Sequence, residues 1–270
     1  MLPIAIIIPH AGLAIPPELQ DRLALTPEQI FNEADIYVEQ IFDFRDDVLH
    51  WVHFPFARAI IDVNRPQNPA LNRPGDGIVK WQTSYGDPIY APEQRPDEAL
   101  EQELIGRYWQ PWHEQLDEIT RDERVKLVID AHSMAAVGPN KYDDPGAKRP
   151  CVSVSNMGDE NGNVLAMRER ITAPAESTRW LAHKLGQAFA KIPTLTETEL
   201  VGKVNTPFWG GWDIIAHGGH RQPWYMTEVN RALYVGPQTS SSPIVPPNAG
   251  QIQQLRQAIW QGLTELVSLV

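Results

Sequence analysis

A chain of 270 residues, 42% apolar and 21% charged, is long enough for one large domain with a substantial buried core, and it has neither the repeats nor the low complexity of a fibrous or disordered protein. A formal net charge of −11 at pH 7 repels phosphate backbones and anionic lipid surfaces, so nucleic acid and membranes are excluded as expected partners. A small anion met by local arginines remains open. The single cysteine, Cys151, cannot close an internal disulfide, and neither a secretory leader nor an apolar run of bilayer length is read in the chain. A cytoplasmic setting is expected.

An apolar run from Leu2 to Pro9-His10 predicts a first strand. Thr26-Pro27-Glu28 then sets a capping residue before a first-turn proline and an acid, and Ile30, Phe31, Ala34, Val38, Ile41 and Phe42 recur at helical spacing, predicting helix one over 27–44. Strands are expected at 50–54 and 57–63, separated by Pro55. A long amphipathic helix follows at 97–123, with Leu100, Leu104, Tyr108, Trp112 and Leu116 on one side. The remaining expected elements are strands at 126–131, 150–156 and 224–229 and helices at 175–191 and 251–270. Proline-rich stretches at 65–96 and 240–247 read as ordered loops or a site rim. Strands alternating with helices imply an α/β fold: one domain over 1–270, a mostly parallel sheet with helices on both faces.

Two histidines stand just past strand-like runs, His10 and His132. In an open α/β sheet the crevice beyond the strand carboxyl ends is where ligands bind, so both rings are expected in one cleft. Zinc recruits two imidazoles and a carboxylate while leaving a position for water. Asp35 is the chosen third ligand, with Glu33 and Asp130 left open. Strand alternation puts Asp130 on the same side as His132, where it orients the ring or shares its ion. Gly12, in Pro9-His10-Ala11-Gly12, is read as a tight turn with positive φ.

The segment Arg58-Ala-Ile-Ile-Asp62-Val-Asn64-Arg65-Pro66 leaves a buried apolar pair for a polar cluster. Asn64 and Arg65 there suit a substrate carboxylate, against a plain reading as a surface turn with an Asp62–Arg65 ion pair. Glu228 interrupts an apolar strand, and a buried carboxyl has a raised pKa fit for proton transfer; the plain alternative is a buried pair with Arg231. Arg58, Arg65, Arg73, Arg95 and Arg231 all stand open as a second carboxylate contact. The stretch from Asn205 through Trp212 to His217-Gly-Gly-His220 is either a substrate lid, with Asn205 a substrate contact, or a packed hairpin. A ring from His217 or His220 on the ion would displace the ligand set above.

Taken in order, Pro9-His10-Ala11-Gly12, Glu33-Ala34-Asp35, Ile61-Asp62-Val63-Asn64-Arg65-Pro66, Asp130-Ala131-His132-Ser133 and Glu228-Val-Asn230-Arg231-Ala-Leu-Tyr234 resemble the N-formylglutamate amidohydrolase family over 6–234. That family is in turn similar to zinc carboxypeptidases (a phosphorylase/hydrolase-like fold). The resemblance implies one zinc held by His10, a carboxylate and His132, a carboxylate-binding Asp62-Val63-Asn64-Arg65 segment, and Glu228 as general base. Leu13 stands where a carboxypeptidase has the glutamate of its His-x-x-Glu unit, so the carboxylate role passes to Asp35. The implied reaction is metal-assisted hydrolysis of a formyl or other acyl amide of a small carboxylate substrate, with Arg58 stabilising the oxyanion. Rival readings are a peptidase or deacylase of the same fold and a Ser133 nucleophile, which lacks the Gly-x-Ser-x-Gly elbow. A non-catalytic carboxylate-binding module is the third, and it has no use for Glu228 in an apolar strand.

Overall fold

The computed structural model describes residues 1–140 and 142–270. Six strands, β1 (Leu2–Ile8), β2 (Val48–His53), β3 (Leu127–Met134), β4 (Pro150–Ser155), β5 (Glu199–Val204) and β6 (Trp224–Asn230), form one sheet in the order β2-β1-β3-β6-β4-β5. Every neighbouring pair is parallel except β4 against β6. After β1 the chain moves out to β2 and then crosses back to lay β3 on the other side of β1. This reversal opens a crevice at the carboxyl ends of β1 and β3.

Period-two alternation divides the side chains between two apolar cores. Ile4, Ile6 and Ile8 of β1, Leu127, Ile129 and Ala131 of β3, and Tyr225 and Val229 of β6 pack against α2 (Val38–Ile41), α5 (Ala175–Phe189) and α7 (Ala249–Leu266) through Leu181, Leu185, Leu255 and Ile259. Ala5, Ile7, Val128, Trp224 and Met226 face the other way, onto α3 (Glu98–Leu104) and α4 (Gln110–Arg121) through Leu104, Trp112, Leu116 and Ile119. The expected α/β sheet with helices on both faces is the fold observed.

Several elements differ from their sequence reading. Helix one is broken: α1 (Pro27–Glu33), closed at its start by a reciprocal capping box between Thr26 and Gln29, ends at Ala34 in extended backbone, and the chain resumes as α2 only after Tyr37 at φ 65°. The cause is tertiary, because the Asp35 N–H leaves the helix to donate to the His10 carbonyl at 2.9 Å. All six periodic apolar residues are nevertheless buried, so the period reported a buried face and not an unbroken helix.

The segment 57–63 is a tight turn instead of a strand. Ile60 and Ile61 both donate to the Ala57 carbonyl, at 2.9 and 3.1 Å, and Asp62 N donates to Ile78 O at 2.8 Å. A short buried apolar run has the same pattern in either state. The long helix is interrupted by a π-turn at Ile105–Trp109, immediately ahead of Pro111, whose ring has no N–H and crowds the carbonyl four residues back. Gly12 does not adopt positive φ; its lack of a side chain is needed because a Cβ there would lie 2.2 Å from the Pro55 carbonyl carbon.

Strand β5 escaped the sequence reading because it is an edge strand with Leu200 and Val201 exposed, so it has no clean alternation. The stretch ending at His217 is not a packed hairpin, since residues Trp212–His217 form a short helix, α6, while residues 206–211 line the cavity. Among the described residues, no helix is long and apolar enough to cross a membrane.

Candidate active site

The crevice collects side chains from five segments. His10 follows β1, Asp35 sits in the break after α1, Asp62 and Asn64 come from the turn after Ile61, Asp130 and His132 project from β3, and Glu228 projects from β6. His132 and Glu228 are register partners on adjacent parallel strands and share one face of the sheet. The His10 and His132 rings lie 4.8 Å apart between centroids with their planes at 66°. One ligand atom from each of His10, Asp35 and His132 falls within 4.8 Å of the others. Of the acids left open, Asp35 is the one grouped with both rings, in a cluster that could hold a metal ion.

The hydrogen bonds settle which ring atoms are free. A carboxylate only accepts, so His10 donates from Nε2 to Asp62 Oδ1 at 2.7 Å, and its Nδ1 is left as a bare lone pair, buried and without a hydrogen bond. Asp35 Oδ1 is likewise buried with no hydrogen bond. Asp35 Oδ2 accepts from the Ser133 N–H at 3.2 Å and from His132 Nδ1 at 3.0 Å. His132 Nε2 approaches Asp130 Oδ1 at 2.8 Å without the alignment of a hydrogen bond. Each imidazole thus faces the nest with one nitrogen and a buried carboxylate behind it with the other, the arrangement that orients metal-ligating histidines.

Charge follows the same pattern. Burial and the Arg58 guanidinium lower the His10 pKa, keeping that ring neutral. Burial opposes the charged form of His132, but Asp130 and Asp35 outweigh it and hold the ring protonated well above its ordinary range. The Nδ1 proton, shared with Asp35, is the one a cation would displace. Burial also opposes ionisation of Asp62, yet Arg65, His10 and Arg58 keep it a carboxylate. At Glu228, burial pushes the carboxyl up to about 7, against the pull of His132. Orphaned ring and carboxyl atoms converging in a buried nest fit a small divalent cation.

The other expected site residues are placed as follows. Arg58 lines the cavity and pairs with Asp62 at 3.2 Å and Asp35 at 3.7 Å. Asn64 is buried beside His132, 3.3 Å from its Nε2, and its Oδ1 accepts from Asp213 N at 2.8 Å. Arg65 also lines the cavity, but it grips Asp76 through Nε and NH2 at 3.1 and 3.3 Å, and the anticipated pair with Asp62 stands at 3.4 Å. Glu33 is taken by the Ser84 N–H and hydroxyl and by Lys80. Asn205 does not reach the cavity: its amide is spent on Asn156 and the Asp159 carbonyl, while Thr206, Pro207 and Phe208 line the wall instead. His217 is buried against His113, away from the nest, and His220 is exposed. Glu228 makes no pair with Arg231, and its Oε2 is buried without a hydrogen bond.

Asp62 as the partner of His10 was missed by the sequence reading. The available signal was an acid directly following a buried Ile60-Ile61 pair, a place where an unpaired carboxylate is costly. The cavity itself measures about 750 Å³ and is rimmed by Lys80, Tyr85, Tyr142 and Arg149, none of which carries a recognisable motif.

A sheet with a switch-point crevice, holding two carboxylate-backed imidazoles, a third carboxylate and an isolated glutamate, defines an α/β protein with a candidate metal centre at its strand ends. The N-formylglutamate amidohydrolase family model matches residues 2–235, and the chain belongs to that family. It is 25% identical over 197 residues to a Pseudomonas putida protein named N-formylglutamate deformylase, covering 70% of this chain and 71% of that one. The fold is shared with the crystal structure of N-formylglutamate amidohydrolase from Ralstonia eutropha JMP134, at TM-score 0.69 and 19% identity over 100% of this chain and 95% of that one. It is also shared with a gene product of Agrobacterium tumefaciens, at TM-score 0.58 and 17% identity over 97% and 91% of the two chains.

Proposed function

We propose that this chain hydrolyses the N-formyl amide of an acidic amino acid, with N-formylglutamate as substrate and formate and glutamate as products. The observation that carries the reading is the His10–Asp35–His132 nest with Glu228 beside it on the adjacent strand. His10 Nδ1, an Asp35 oxygen and His132 would hold one zinc ion. Bound there, zinc lowers the pKa of a water and polarises a carbonyl.

Glu228, which exchanges its proton near neutrality, takes a proton from the attacking water and delivers it to the amide nitrogen as the C–N bond breaks. Asp62 and Asp130 hold the two rings in orientation from behind. Arg58 supplies positive charge toward the oxygen on which negative charge grows in the transition state. Asn64 and Arg65 border the same space and offer donors to a substrate carboxylate.

The test is zinc content and formate release in the purified protein and in Glu228→Gln. One zinc per chain is expected in both, with hydrolysis of N-formylglutamate reduced about a thousandfold in the variant. A zinc-loaded wild type that releases formate from no N-formyl amino acid would falsify the proposal.

A further inference from the structure

Among the described residues, six cations line the cavity: Arg58, Arg65, Arg73, Lys80, Arg149 and Arg231. Five of them have at least one carboxylate partner in place. Arg58 pairs with Asp62 and Asp35, Arg65 with Asp76, Arg73 with Asp143, Lys80 with Glu33, Asp62 and Asp76, and Arg149 with Asp144. Arg231 has no carboxylate within ion-pair distance, although it is only 6% exposed. Its NH1 donates to the carbonyls of Asn32 and Ala34 and to Gln238 Oε1, each at 3.1 Å. These are neutral acceptors, and they fix the guanidinium without compensating its charge.

Nε, one of the two donors with which the edge of a guanidinium grips a carboxylate, is buried without a hydrogen bond. Arg231 itself lines the cavity. A buried cation without a counterion is costly unless something supplies one. We infer that Arg231 is a specificity residue that takes the second carboxylate of a dicarboxylic N-acyl amino acid. This rests on the proposed function for the identity of the substrate, while the anion subsite rests on Arg231 alone. The backbone carbonyls that hold it belong to the segment leading into Asp35, so the subsite and the candidate metal nest are built on one stretch of chain.

The experiment compares N-formylglutamate with N-formylglutamine, which differ only in that charge, by kcat/KM and by calorimetric affinity on the zinc-loaded protein. The wild type is expected to favour the acid by about 100-fold or more, the loss typical when one partner of a buried charge pair is removed. In Arg231→Gln the ratio is expected to fall to within about threefold, and in Arg231→Lys to an intermediate value. A general loosening of the fold lowers both substrates together and leaves the ratio where it was, a result that overturns the inference. Should Arg231→Gln not fold, competition on the wild type by glutarate against butyrate decides, and equal potency of the two overturns the inference. If the wild type cleaves neither compound yet still binds the acid preferentially, and Arg231→Lys weakens that preference, the proposed activity fails and the subsite stands. If it cleaves both equally, the activity stands and the subsite fails.

Discussion

His10 with His132 and His113 with His217 are two pairs of buried imidazoles at nearly the same separation, 4.8 and 5.1 Å between centroids, yet their surroundings differ. In the first pair the planes stand at 66° and each ring has a buried carboxylate behind it. In the second the rings stack at 18°, His113 Nδ1 lies 2.8 Å from His217 Nε2, and His113 Nε2 donates to the Val63 carbonyl at 2.9 Å. Trp109 and Trp224 flank that stack, and among the described residues its acids are Asp117, half exposed and 3.1 Å from His217 Nδ1, and Asp213, 3.9 Å from His113 Nε2 and kept largely protonated by burial. Proximity of two histidines therefore says little. What separates the pairs is whether a nitrogen is left over after the hydrogen bonds are counted, and whether negative charge surrounds it.

The largest expected contrast comes from removing rings. His10→Ala and His132→Ala should each lose bound zinc and at least a thousandfold in hydrolysis, whereas His113→Gln and His217→Gln should keep one zinc per chain by elemental analysis. Zinc retained in both of the first two variants would erase the distinction between the pairs.

The next effect separates the pairs by pH. Burial lowers the His113 pKa to about 4. Between about pH 6.5 and pH 4 the unfolded chain binds a proton that the folded chain refuses, so stability is full above that window and falls as pH drops through it. The loss amounts to about 3 kcal/mol at about 1.4 kcal/mol per unit. Denaturant melts of His113→Gln across this range should show a shallower slope than the wild type, and an identical slope would reassign the pH dependence to other groups.

The smallest effect probes the carboxylates behind the first pair. Asp62→Asn and Asp130→Asn should each weaken zinc binding about 10- to 100-fold in chelator competition while leaving the metal site occupied at saturation. Unaltered affinity in both would mean that the rings are oriented by packing alone.

Much of this was legible along the chain. The rings at 10 and 132 and the glutamate at 228 stand out because each sits at the end of, or inside, an apolar run where a polar residue is conspicuous, whereas Asp35, on an amphipathic segment, is chosen among the acids nearest His10 in sequence. The Asn64-Arg65 pair was legible as chemistry but not as geometry, since nothing local shows that Asp76 already holds the guanidinium. Asn205 misled for a related reason: its neighbours line the cavity while its own amide turns back to Asn156. Arg231 was one arginine among several by sequence, and it is singled out only by the absence of a counterion among the described residues.

The amino-acid order by itself determined five of the six strands, which faces are apolar and which residue types stand at the strand ends, because alternation and capping act between neighbours a few positions apart. The tertiary structure alone decided the break that frees Asp35, the turn that replaces a strand at 57–63 and the pairing of His10 with Asp62 and of His132 with Asp35. Those partners are 52 and 97 positions apart. A hydrogen bond closing so long a loop leaves no local trace in the chain, and it exists only once the sheet has brought its ends together.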